Sequence, residues 1–218
     1  MAVAMARVYI VRHGETDENR QAIIQGQFDS HLNAKGIEQG KRVAEALRAV
    51  PFTAAFTSDL VRASKTAEYI LEHHPGVPLR KQTELRERYM GELQGKKYGA
   101  KMLPPGESTV ESIEAMSART ARWWADTVLA LPRRSEPQCA LVVSHGGFIG
   151  VLVKGLLNKR VRLGKDVQMG RCLNTSVSIV EIMEDGRGVL VQYADISHLA
   201  ESRKEVVQGN ADEQGLRV

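Results

Sequence analysis

Cysteine is scarce: Cys139 and Cys172 are the only two in 218 residues. Two thiols give no disulfide framework, and neither they nor the histidines recur at zinc-ligand spacing. The expected setting is therefore a reducing cytoplasm, and no metal is implied. Aromatic residues make up only 5% of the chain, and its 30 Lys and Arg are scattered rather than gathered on one segment. The formal net charge of +4 does not read as a nucleic-acid surface; attraction of a small anionic substrate accounts for it as well. Long apolar runs are missing too. No segment approaches the ~20 residues needed to cross a bilayer, and the apolar start from Met1 to Val11 is broken by Arg7. That start runs straight into Arg12-His13, so cleaving it as a signal peptide would remove the most reactive residues nearby. Neither a membrane nor a nucleic acid is expected as a partner.

What is present suits an α/β fold. With 43% hydrophobic and 26% charged residues, the chain can bury a full core as one domain over residues 1–200. A polar tail over 201–218 is expected to be flexible. Val8 to Val11 read as a buried parallel strand. Asn33 is placed to cap a helix of about Ala34 to Ala49, with Ile37, Val43, Ala44 and Leu47 on its apolar side. Ala54 to Thr57 is a short strand, and Leu60, Ala63, Ala67, Ile70 and Leu71 recur at helical spacing before a turn at His73-His74-Pro75-Gly76. A strand follows around Val77 to Gln82. Ser108-Thr109-Val110-Glu111 has capping-box form for a long helix marked by Ile113, Met116, Thr120, Trp124, Thr127 and Leu131 and closed by Pro132. Strand Ala140 to Ser144, helix Phe148 to Leu157, and a hairpin of Ser176 to Ile182 with Val189 to Ala194 complete the pattern; Asp185-Gly186 falls in its turn. The expected architecture is a three-layer α/β sandwich with a mostly parallel central sheet flanked by helices.

Two strand ends carry the chemistry. Val8 to Val11 lead into Arg12-His13-Gly14-Glu15-Thr16, and Leu141-Val142-Val143-Ser144 lead into His145-Gly146-Gly147. Open α/β sheets deliver ligand-handling residues at such C-terminal ends, so the two histidines can meet in one crevice. A phosphate monoester is doubly charged near neutral pH. Its cleavage needs cationic donors for the oxygens, an in-line nucleophile and an acid for the leaving oxygen. Arg12, Arg62, His13, His145 and Glu87 supply those groups. Arg62 lies just inside a helix, where free N–H groups and the helix dipole favour an anion. Cations near His13 disfavour its imidazolium and keep a ring nitrogen available for attack. His145 then stabilises the transferring group. Glu87, held protonated by apolar or anionic surroundings, donates to the leaving oxygen and afterwards activates water.

Competing designs fit less well. A cysteine phosphatase needs an arginine closing the loop after its thiol, yet His145 and Ser178 stand six residues beyond Cys139 and Cys172. Gly36 to Lys41 and Gly91 to Lys96 are each one residue short of a nucleotide loop and lack its following serine or threonine. His73-His74 reads as a surface turn, Trp123-Trp124 as helix packing, and Lys96-Lys97 as a solvated loop.

Taken in order, Arg12-His13-Gly14-Glu15-Thr16 and Ser144-His145-Gly146-Gly147 resemble the histidine phosphatase, or phosphoglycerate mutase-like, superfamily, and the resemblance runs to about Tyr193. It implies a phosphohistidine nucleophile at His13 and a phosphate pocket of Arg12, Arg62, His145 and Gly146. Thr57 to Ala63 resembles the family's second signature, which places Arg62 and adds Ser58 as a binding candidate. Leu85 to Gly91 is similar to the proton-donor segment of the fructose-2,6-bisphosphatase-like branch, which points to Glu87 rather than Glu84 or Glu92. Asn19, Gln25 and Gly26 match a loop that touches phosphate or substrate. Gly106-Glu107-Ser108 matches a helix-start motif and Asn174-Thr175-Ser176 a strand-entry motif. Glu18 and His31 depart from the family pattern, at positions where an aromatic and a proline are frequent.

The resemblance leaves phosphatase and mutase to be separated. In the mutase branch a long insertion after the proton donor covers the site; here only ten residues, Lys96 to Pro105, separate Gly95 from Gly106. That segment also lacks the arginine-rich, double-aromatic pattern of mutases. A short cap admits water and favours hydrolysis of a phosphorylated substrate that is small or somewhat bulky. The expectation is a cofactor-independent phosphomonoesterase. Phosphoglycerate mutase is the enzyme alternative. A non-catalytic phosphate-binding scaffold is the alternative of another class, although a binding module has no need of Glu87.

Overall fold

Alternate residues of the first strand face opposite ways, and both faces are apolar. β1 (Ala4–Arg12) sends Val8 and Ile10 into one core and Tyr9 and Val11 into another. β4 (Gln138–Ser144) divides Ala140 and Val142 from Leu141 and Val143 in the same way. Two-sided burial is why these strands read as continuous apolar runs. The computed structural model describes residues 4–104, 106–131 and 137–200.

The remaining strands are β2 (Ala54–Ser58), β3 (Leu79–Gln82), β5 (Val161–Leu163), β6 (Val177–Met183) and β7 (Gly188–Asp195). Together they form one sheet in the order β3-β2-β4-β1-β6-β7-β5. Neighbours are parallel throughout except where β6 pairs with β1 and β7. One face is covered by α2 (Ala34–Leu47) and α3 (Val61–Leu71), through Val43, Leu47, Ala63, Ala67 and Ile70. The other is covered by α4 (Ile113–Trp123) and α5 (Gly146–Leu157), through Met116, Trp123, Phe148 and Leu152. This is the expected three-layer α/β arrangement. No helix among the described residues is long and apolar enough to cross a membrane.

Several expectations shift when tertiary contacts intervene. Asn33 caps α2 as expected, its side chain accepting from Gly36 N at 2.8 Å. The cap of α4 is Ser112, which accepts from Ala115 N at 3.1 Å, and not Ser108. Glu92 is the reason: it takes the Ser108 hydroxyl at 2.7 Å and both Thr109 donors at 3.0 Å, so the Gly106-Glu107-Ser108 motif precedes the helix instead of opening it. After Trp123 the backbone widens into a π turn, Trp124–Val128. The extra residue rotates the apolar stripe, so Val128 is buried where Thr127 was expected. His74 is not a surface turn residue but lies buried, edge-on to Phe52 with ring centroids 4.9 Å apart. The one-turn helix α1 (Asp17–Arg20) and edge strand β5 are too short to announce themselves by periodicity. Pro132 and the tail from 201 onward lie outside the described residues.

Candidate active site

β1 and β4 are adjacent and parallel, with Arg12 paired to Ser144. The residues that follow must therefore emerge side by side. His13 N donates to Ser144 O at 3.0 Å, and the His13 and His145 rings lie 5.1 Å apart between centroids, tilted by 57°. Both side chains are buried. Gly14 makes the tight exit possible, because a Cβ there would meet the Gly36 carbonyl oxygen at 2.5 Å.

His13 has a fixed tautomer. Its Nδ1 lies 2.7 Å from Gly14 O, and since a carbonyl only accepts, Nδ1 carries the hydrogen and Nε2 the lone pair. Burial holds its pKa well below the usual value, reinforced by Arg62 and Arg12 and opposed by the Gly14 bond. His145 is likewise held low by burial first, then by Arg62, His13, Arg12 and Arg119. Its two ring nitrogens have no hydrogen-bond partner in the protein.

The cations arrive from two elements. Arg12, at the end of β1, donates from Nη1 to Cys172 O at 2.8 Å and leaves a buried Nε without a partner. Arg62, in the first turn of α3, donates to Phe28 O at 2.7 Å and Gly26 O at 2.8 Å. Gly26 presents that carbonyl with a φ of +52°, a left-handed conformation that suits glycine. Gln25 accepts from Thr16 Oγ1 at 3.0 Å and from the Ser30 hydroxyl. Asn19, buried on α1, accepts from Thr16 N and from Asn174 Nδ2, both at 3.2 Å, and its own Nδ2 has no partner. Buried unpartnered donors are uncommon, and Arg12 and Asn19 both present one close to His13 in the chain or through Asn174. Ser58 Oγ accepts from Leu60 N at 3.3 Å, which shapes the start of α3 and so the placement of Arg62.

Glu87 is fully buried. One carboxylate oxygen accepts from Arg88 N at 2.7 Å and the other from Gly147 N at 2.8 Å, in the first turn of α5 beside His145 and the buried Gly146. Any Cβ on Gly147 would overlap this carboxylate, which explains the second glycine of His145-Gly146-Gly147. By contrast, Glu84 is exposed, and hydrogen bonds led by that from Ser108 hold Glu92 down at about 2. Lys96 and Lys97 are exposed, Lys97 in a bridge to Ile23. Among the described residues no group of three or more His, Cys, Asp or Glu is placed to hold a metal ion.

Further residues support the site through long-range bonds. Asn174 Nδ2 donates to His13 O at 3.0 Å, and Thr175 N to Arg12 O at 3.1 Å, with Thr175 in the left-handed region at φ +56°. Arg119 on α4 reaches the carbonyls of Glu84, Arg86 and Glu87. Arg86 pairs with Asp59 through bonds of 2.8 and 2.5 Å, and Ser144 Oγ donates to Leu85 O at 2.7 Å. All join segments far apart in sequence. A separate cavity of about 330 Å³ between Trp124 and Leu156 contains none of the candidate residues.

Two buried neutral histidines make stability pH-dependent. Their folded pKa values lie below the ordinary 6.5, so under that value the unfolded chain binds more protons than the folded one. Stability contributed by this pair is fully present above pH 6.5 and is lost as pH falls, by about 1.4 kcal/mol per pH unit for each extra proton. Urea unfolding at pH 7.5, 6.5 and 5.5 should show a midpoint that drops over the last step. A midpoint that rises toward pH 5.5 would contradict neutral His13 and His145.

The model of the histidine phosphatase superfamily (branch 1) matches residues 8–196. A probable phosphatase of Schizosaccharomyces pombe is 30% identical over 203 residues, covering 88% of this chain and 95% of that protein. The probable phosphoglycerate mutase GpmB of Salmonella arizonae is 34% identical over 214 residues, covering 89% and 95%. Among solved structures, a mycobacterial glucosyl-3-phosphoglycerate phosphatase in complex with VO3 superposes with a TM-score of 0.72 at 27% identity, covering 87% of this chain and 99% of that one. Spanning both strand ends and the segments that carry Arg62 and Glu87, these matches show that the chain belongs to the histidine phosphatase superfamily, branch 1.

Proposed function

We propose that the chain is a phosphomonoester hydrolase acting through a phosphohistidine on His13. The observation that carries this reading is the fixed tautomer: the Nδ1–H bond to Gly14 O leaves the Nε2 lone pair for phosphorus, beside His145 and near the charges of Arg12 and Arg62. Arg12, Arg62 and His145 bind the phosphoryl oxygens, with Asn19, Gln25, Gly26 and Gly146 shaping the pocket. Nε2 forms the N–P bond as the P–O bond to the leaving group breaks, and Glu87 gives its proton to the departing oxygen. Water then attacks the phosphohistidine, Glu87 takes a proton from it, and phosphate leaves with His13 restored. These steps draw on protein groups alone. Cys139 and Cys172 are buried thiols, which supports a cytoplasmic setting.

The short cap supports hydrolysis over mutase chemistry, and the rim supports a substrate with some apolar bulk. Phe28, Tyr89, Tyr98, Met102 and Leu103 account for five of the seven exposed large apolar side chains among the described residues. Arg62 donates to Phe28 O, Gln27 Nε2 to Glu87 O two residues before Tyr89, and Tyr98 N to Ala22 O, while the segment of Met102 and Leu103 is tied to Glu92 through Leu103 N. A mutase reading stays in play because relatives at 34% identity carry that name. The two are separated by one experiment. Phosphate release from an aryl phosphate should persist in chelator, while 3-phosphoglycerate supplied with 2,3-bisphosphoglycerate should isomerise poorly. Fast isomerisation with little release would overturn the hydrolase reading, and no turnover of either would favour a scaffold.

A further inference from the structure

Glu87 sits on backbone that belongs to no strand, between single 3-10 turns at Thr83–Leu85 and Gly91–Leu93. The carbonyl groups there have no ladder partner and must be satisfied by something else. We propose that Arg119 is a positioning residue that sets Glu87 for proton transfer, a role that rests on reading Glu87 as the proton donor.

The geometry is specific. Nη1 of Arg119 donates to Glu84 O at 2.7 Å and Arg86 O at 2.9 Å, and Nη2 to Glu87 O at 3.4 Å. Nε and Nη2 grip the Glu111 carboxylate at 3.0 and 2.8 Å. All five N–H donors of the guanidinium are thereby used, in a planar fork that a lysine ammonium cannot reproduce. Glu111 extends the frame past the acid: its carboxylate accepts from Tyr89 N at 3.1 Å, its N–H donates to Tyr89 O at 2.8 Å, and its carbonyl accepts from Arg88 Nε at 2.7 Å. On its other side Arg119 lies 6.0 Å from the centroid of Phe148, the residue after Gly147. One side chain thus touches both the backbone that carries Glu87 and the helix start that receives its carboxylate. Losing it frees the segment from α4 while leaving the oxygens of Glu87 hooked on α5, so the carboxyl should tilt away from the leaving oxygen.

The test is single-turnover phosphorylation of His13 by esters of graded leaving group, from nitrophenyl to alkyl phosphate, in the full chain. Arg119→Gln should cost about ten- to a hundred-fold with the alkyl ester but less than about three-fold with nitrophenyl, whose oxygen needs little protonation. Arg119→Lys should recover little of the alkyl rate, and Glu111→Gln should show the same pattern more weakly. Equal losses for both esters would make Arg119 a stability residue only and overturn the proposal. Should Arg119→Gln not fold, Glu111→Gln decides: a loss confined to the alkyl ester supports positioning, while an equal loss or none overturns it. Glu87→Gln is run in parallel. Without leaving-group dependence there, the proton-donor reading itself falls; with it, equal losses in the Arg119 variants sink the positioning role alone.

Discussion

His13→Ala is expected to lower phosphate release by about four orders of magnitude or more, because removing a nucleophile leaves only binding and electrostatic assistance. Brief reaction with labelled substrate and an alkaline quench should leave acid-labile phosphate on the native chain and none on the variant. On this reading the label should fall on His13 and not on His145. His13 has its hydrogen fixed on Nδ1 by Gly14 O at 2.7 Å, whereas neither nitrogen of His145 has a protein partner to select a tautomer. His145→Gln should therefore slow labelling yet leave the label on His13. Label on His145, or on a serine or cysteine, would reverse the assignment.

How far the site was legible depended on how local its causes are. β1 and β4 announce themselves because both of their faces are buried, and the parallel pairing of Arg12 with Ser144 then brings the two histidines together. Arg62 follows from the β2-to-α3 turn. Glu87 needed the family resemblance, since Glu84, Glu87 and Glu92 look alike in a charged stretch; burial and two backbone donors are what set Glu87 apart. The supporting contacts were not legible for a different reason. No local signal sets Arg119 apart, its contact with Glu87 spanning 32 residues, and Asn174, placed by the resemblance in a strand-entry motif, lies 161 residues from the His13 carbonyl it holds. The misplaced start of α4 has the same origin: Ser108 and Ser112 are both acceptable caps, and the distant Glu92 claims the first. Patterns fixed by periodicity survived except where the π turn after Trp123 shifts the apolar stripe, and choices between equivalent polar residues were made by contacts across the chain.

Glu87→Gln should lower turnover of an alkyl phosphate by about two to four orders of magnitude, since the amide has no proton to give the leaving oxygen. The substitution is not silent structurally. Arg88 N and Gly147 N each donate to one carboxylate oxygen, at 2.7 and 2.8 Å. An amide offers only one acceptor, so one buried N–H must face an NH2 group, at a cost of about 1–3 kcal/mol. A lower melting temperature is thus expected, and an absolute rate alone would confuse displacement with lost chemistry. The comparison between leaving groups separates them. An aryl phosphate needs little protonation, so His13 phosphorylation by it should fall far less than phosphorylation by an alkyl ester in the same protein. Equal losses for both would take the proton donor away from Glu87. Glu84 and Glu92 would then be the next carboxylates to test.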